Sequence, residues 1–261
     1  MLSLNAEQMR AVELAQAENF ASDLARHLAV FAPLQAASMG PAAVLRLAQD
    51  GLQRASVHGF TLRGPARFYV ELMFMFGSAF DTDPQYEAWV WPQLNYPGTD
   101  ELVRADRLHQ AAVHYVEQTS GPGHVYERQA LERLRRASFE DLAAYAGGPS
   151  RSLVPVLGAF HPEKLHCVGE EALARLARSA YANAELRGPD WALLGPLLAG
   201  LMFTFGHGCA TDPQFPWIAK ALARPTAENG PTGTAVRARL ENLFDRFLTF
   251  AGSAGERLAG A

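Results

Sequence analysis

The sequence predicts an all-α fold: a tandem duplication of one helical bundle module, its copies in a pseudo-two-fold arrangement. Three observations predict it. Met73-Phe74-Met75-Phe76-Gly77 and Thr82-Asp83-Pro84-Gln85-Tyr86 return as Met202-Phe203-Thr204-Phe205-Gly206 and Thr211-Asp212-Pro213-Gln214-Phe215, always 129 residues on. An internal repeat sets the architecture before any local feature does. The ungapped match runs from Phe31/Phe160 to Gln85/Gln214 and holds 18 identical pairs, among them Pro33/Pro162, Gly40/Gly169, Ala55/Ala184 and Gly59/Gly188. Apolar residues elsewhere recur at helical spacing, and no stretch alternates as a strand does. The expected domains are repeat one over 1–120 and repeat two over 121–261, with an inserted linker around 147–157.

Each element follows from its pattern. Met9, Val12, Phe20, Leu24, Leu28 and Phe31 mark a first helix. Val44, Leu47, Leu52 and Ala55 mark a second, copied as Leu173, Leu176, Tyr181 and Ala184. A third runs from about Thr61 to Phe76, with Thr61 and its counterpart Asp190 as N-caps. Pro196 falls inside its copy, where a kink or restart is expected. Gly77 and Gly206 stop these helices as αL glycines. Asp83-Pro84 and Asp212-Pro213 then read as N-cap and first helical residue of a short helix. Leu108, Ala111 and Tyr115 close repeat one, and Val236, Leu240, Leu243 and Phe247 close repeat two. Gly121-Pro122-Gly123 and Gly147-Gly148-Pro149-Ser150 are breakers between the halves.

Composition narrows the function. With 49% hydrophobic residues the chain can bury a large core, and a net charge of −4 lacks the basic footprint of a nucleic-acid binder. Of its 23 cationic side chains only Lys164 and Lys220 are lysines. Cys167 and Cys209 are too few for a disulfide framework. The N-terminus shows no signal peptide, so a cytoplasmic protein is expected. Trp191 to Ala210 carries no charge, but its copy holds Arg63, Arg67 and Glu71, which points to a core helix and away from the membrane.

The reactive-looking residues differ between the copies. Asp81 and Asp83 suggest a cation site, yet copy two reads Ala210 and Asp212, and the rest of a calcium loop is missing. His161, His166 and Cys167 lack a fourth zinc ligand. His207 and Cys209 offer a base and a nucleophile without a third, orienting residue. No catalytic residue, metal or cofactor is therefore expected. The aromatic cluster Tyr86, Trp89, Trp91 and Tyr96 is more suggestive, because interface hot spots favour Trp and Tyr. Trp89 and Trp217 are read as locking their own bundles. Asp81, Tyr86, Trp91, Tyr96 and His207 are the expected partner-binding residues.

The pattern Gly59-Phe60-Thr61, Leu72 to Gly77, Phe80-Asp81-Thr82-Asp83-Pro84-Gln85 and Trp89, with the helix entry Phe160-His161-Pro162-Glu163-Lys164-Leu165, resembles uncharacterised bacterial proteins associated with type VI secretion effectors and other polymorphic toxins. In those a Phe-Asp-x-Asp-Pro turn ends a hydrophobic helix and a Trp follows. Copy two departs at Cys209-Ala210. The resemblance implies a non-catalytic accessory protein, an adaptor, chaperone or immunity protein that grips a secreted effector or toxin. Two alternatives stand beside it. One is an enzyme using Asp81, Asp83, Glu71, His207 and Cys209; the other is a small-ligand binder in the cleft between the repeats.

Overall fold

The computed structural model describes residues 5–96, 98–144, 152–187, 191–223 and 233–259. The features expected at Gly147 to Ser150, Gly188 and Asp190, and the side chain of Val236, lie outside the described residues. Among the described residues every regular element is helical.

The chain opens with α1 (Ala6–Phe31), started by a capping box in which Gln8 N donates to the Asn5 side chain at 2.8 Å and Asn5 N to the Gln8 side chain at 3.0 Å. Then come α2 (Pro33–Met39), α3 (Pro41–Val57), α4 (Arg63–Phe76), a 3-10 turn at Phe80–Thr82, α5 (Glu87–Leu94) and α6 (Glu101–Ser120). A second 3-10 turn at Pro122–His124 leads to α7 (Val125–Arg135) and α8 (Phe139–Ala143). The chain ends with α9 (Val154–Phe160), α10 (Pro162–Val168), α11 (Glu170–Glu185), α12 (Trp191–Phe205), α13 (Pro216–Leu222) and α14 (Gly233–Ala259).

Local structure recurs at the sequence offset. Both bounds of α2 and α10, the starts of α3 and α11, the ends of α4 and α12, and the starts of α5 and α13 stand 129 residues apart. The hinge residues match too: Ala32 (φ −134°, ψ 70°) pairs with His161 (φ −144°, ψ 81°), and Gly40 (φ 79°) with Gly169 (φ 85°). Buried apolar residues form two clusters. One gathers Leu24, Leu28, Leu47, Met73, Phe76 and Leu108. The other gathers Leu157, Leu176, Met202, Phe205, Leu240 and Phe247.

Several expectations are corrected. Met9 and Val12 are exposed, and burial in α1 begins only at Ala21. The reason is length, because α1 has 26 residues and its packing partner α3 only 17. Thr61 does not cap α4 with its hydroxyl. Its hydroxyl instead donates at 2.9 Å to Glu101 of α6, whose carboxylate also accepts from Thr61 N at 2.6 Å and Leu62 N at 3.0 Å, just ahead of the helix. Pro196 sits inside a continuous α12. Leu153, Val154 and Leu157 are not linker; their spacing lets them enter the second core on α9. Asp83 and Asp212 start no helix, since α5 begins at Glu87 and α13 at Pro216.

Candidate functional site

The two clusters meet where α4 and α12 end. Gly77 (φ 95°, ψ 150°) stops α4 outside the αL region, in backbone space that essentially only glycine enters, and Gly206 stops α12 at a matching φ of 91°. They also touch. A Cβ on Gly77 would stand 2.6 Å from the Phe205 carbonyl oxygen, and one on Gly206 would stand 2.7 Å from that of Phe76.

Two buried carboxylates close this seam. Asp83 accepts from Gln85 N at 2.9 Å, and from His207 N across the seam at 2.7 Å. Asp212 accepts from Gln214 N at 2.9 Å and from Ser78 N across the seam at 2.7 Å. The neighbouring glutamines cross as well: Gln85 Nε2 donates to the Met202 carbonyl at 3.1 Å, and Gln214 Nε2 to that of Met73 at 2.7 Å. Each bond has its counterpart at the 129-residue offset. Asp-Pro-Gln is therefore a turn whose side chain bonds its own backbone two residues on. Its second carboxylate oxygen accepts from the N–H that follows the glycine stop of the helix across the seam.

Beside the clasp lies a cavity of about 210 Å³, walled by Phe76, Tyr86 and Tyr115 on one side and by His161, Lys164 and Phe203 on the other. Residues of α7, Glu127 and Leu134 among them, and Phe247 of α14 complete it. Lys164 is buried. Its Nζ donates to the Phe203 carbonyl and stands 4.5 Å from the Phe203 ring centre and 5.9 Å from that of Tyr86. Among the described residues no carboxylate pairs with it. Burial pulls its ammonium down to about 8, against the more distant attraction of Asp83. Lys164 is thus still mainly a buried cation at neutral pH, held by one carbonyl and two aromatic faces.

His161 prepares this wall. Its Nδ1 accepts from Lys164 N at 3.2 Å and caps α10. The same nitrogen stands 3.3 Å from Glu163 Oε2, but it cannot accept from one group and donate to the other. Burial, with the Lys164 charge next, pushes His161 down to about 4, so the neutral ring capping the helix is the consistent state. At the offset position Gln35 takes the place of Lys164. Its amide donates to the Phe74 carbonyl at 3.1 Å and to Gln214 Oε1 at 3.2 Å. The ammonium of Lys164 bonds the equivalent carbonyl, and Gln85 Oε1, the atom equivalent to Gln214 Oε1, is buried without a partner.

The expected site residues do not form one site. Asp81 is not available to a partner. Its buried carboxylate is taken by Arg54, by Tyr69 Oη at 2.5 Å and by His58 at 3.4 Å. Burial would raise Asp81, but the hydrogen bonds from His58 and Tyr69 and the Arg54 charge outweigh it and hold the carboxyl below its usual range. Tyr86 is only 3% exposed and stacks among Phe76, Trp89 and Tyr115. It belongs to the cavity wall and not to the outer surface. Trp91 and Tyr96 are exposed, at 57% and 60%. His207 contributes its backbone N–H to Asp83, and its ring is half-buried beside the same carboxylate.

The enzyme candidates separate likewise. Glu71 is held by His27 and Arg67, each at 2.7 Å. Cys209 is wholly buried, and burial drives its thiol far above the usual range, so it supplies no thiolate. Among the described residues no three His, Cys, Asp or Glu side chains gather as a metal site. No helix among them is long and apolar enough to cross a membrane. Comparison with known proteins adds no neighbour: no family model, no curated protein and no solved structure matches the chain. The residue the sequence reading missed is Lys164. Its signal was present, one of two lysines in the chain and a charge where the position 129 residues earlier holds Gln35.

Proposed function

We propose that this chain is a binding protein made by duplication of a helical module, its halves related by a pseudo-two-fold axis through the Gly77–Gly206 contact, with a small-ligand site in the seam between them. The observation that carries the reading is the cavity in front of Lys164, a buried cation without a carboxylate partner. Such a charge is costly unless something pairs with it. The matched bond pairs of Asp83 and Asp212 support the pseudo-two-fold relation. Pockets with an apolar lining and a few convergent polar groups are the usual form of a ligand site.

The test is to purify the protein natively, release bound molecules by denaturation and identify them by mass spectrometry. A stoichiometric small molecule, lost when Gly200→Leu fills the cavity, is the expected result. Its absence from the wild-type protein at every purification scale counts against the seam as a ligand site.

A second reading has its own observation. Trp91 and Tyr96 are large aromatic side chains left exposed within and just after α5. They suit the adaptor or immunity role toward a secreted bacterial effector that the sequence resemblance implies. A complex with the product of an adjacent toxin gene, lost in Trp91→Ala and kept in Gly200→Leu, would replace the first reading by the second.

A further inference from the structure

Resting on the seam as a ligand site, we propose that its ligand is a small carboxylate, its anionic group against Lys164 Nζ and its apolar body among Phe76, Tyr115, Leu134 and Phe247. Two observations meet here. The ammonium is buried at the cavity wall and has donors to spare beyond the one given to the Phe203 carbonyl. The remaining wall is aromatic and aliphatic, and the volume of about 210 Å³ is below the usual range for drug-sized ligands, so it admits on the order of ten heavy atoms.

Charge complementarity favours an anion over a cation. The acidic group nearest in influence, Asp83, already accepts from three N–H groups and is directed across the seam. Glu127 at the α7 wall is turned to His124 at 3.1 Å. His161 is neutral while it caps α10, and Tyr86 and Tyr115 stay protonated because burial raises both. Cys167 on α10 is likewise held protonated by burial. Lys164 is therefore the one charged donor at this wall among the described residues.

The experiment is calorimetric titration at pH 7 with benzoate, phenylacetate and hexanoate, and with their neutral amides, against the wild-type protein, Lys164→Gln and Gly200→Leu. At least one carboxylate is expected to bind about tenfold or more tightly than its amide. Lys164→Gln, which copies the residue of the other half, is expected to abolish that preference, and Gly200→Leu to abolish binding of both series. Raising the pH through about 8 should weaken the carboxylate and leave the amide unchanged, because the ammonium is lost. Equal binding of amide and carboxylate, blocked by Gly200→Leu, would overturn the ligand class and leave the seam site standing. Binding of neither series to the wild-type protein would overturn both.

Discussion

The cavity at Lys164 and the groove at Gln35 lie in matching places beside α10 and α2, yet only one has a charged donor in its wall. The groove is larger, about 570 Å³, and is lined by Leu34, Phe215, Trp217 and Phe250. Its polar group, Gln35, is neutral and spends its amide on Phe74 and Gln214. The cavity swaps that neutral amide for an ammonium, Ala32 for His161 and Phe215 for Tyr86. The clasp between them does the opposite: the backbone N–H bonds to Asp83 and Asp212, and the glutamine bonds to Met202 and Met73, recur at the 129-residue offset. What recurs at the 129-residue offset holds the fold together. What differs places a buried charge, Lys164, at a cavity wall.

The clasp is where the largest effects are expected. Gly77→Ala and Gly206→Ala each force a Cβ to within 2.7 Å or less of a backbone oxygen, from φ values near 90° that alanine avoids. Each should cost about 3 kcal/mol or more in denaturant unfolding, because neither helix end can move without breaking the seam. The two losses should be similar. A loss below about 1 kcal/mol in either variant would show that the two halves are not locked at this contact.

Next come the carboxylates. Asp83→Ala orphans the N–H groups of Gln85 and His207, and Asp212→Ala those of Gln214 and Ser78. An unsatisfied buried donor costs about 1–3 kcal/mol, so each variant should lose about 2–4 kcal/mol. Urea unfolding of both variants checks this. A loss for one carboxylate several times that for the other would break the equivalence of the halves.

Much of the clasp was legible in the sequence, but its role was not. Gly77, Gly206 and the Thr-Asp-Pro-Gln turns stood out because they repeat, and they were read locally as helix stops and caps. Their real partners, Ser78 and His207, are more than a hundred residues away, and no local pattern reports a bond across such a separation. Asp81 was read as free because its partners Arg54, His58 and Tyr69 reach it from α3, the residue that follows it and α4. The all-helical class was legible from periodicity alone, since apolar spacing is set by the helix itself. Lys164 was visible as one of two lysines and as part of a helix entry, but not as a buried charge, since burial is a property of packing.

Lys164 carries a smaller effect of opposite sign. Its folded value of about 8 lies below the ordinary 10.5, so below pH 8 both states are charged and the folded state bears the full cost of burying the ammonium. Between pH 8 and 10.5 the folded amine is neutral while the unfolded one still holds its proton, so stability rises with pH. Lys164→Met should therefore stabilise the unliganded protein at pH 7 by on the order of 1–3 kcal/mol, with the gain fading by about pH 10.5. Thermal melts of both proteins across that range check it. A loss of stability at pH 7 would mean that the lysine is a structural tie, like Gln35, and not a site held open for a ligand.

The smallest effect separates the two functional readings. Trp91 lines a shallow groove with Pro84, Glu87 and Arg175, and is more than half exposed. Glu87 and Arg175 bridge the halves beside it at 2.5 Å, but both are exposed, and such pairs contribute little. Trp91→Ala should therefore change unfolding stability by less than about 1 kcal/mol, unlike a core tryptophan, whose truncation costs about 3–5 kcal/mol. A small change leaves Trp91 without a structural reason for its size and makes a partner on that face the physical explanation. A loss as large as that of a core residue would assign Trp91 to holding α5 against α11, and would leave the seam-cavity reading without this rival.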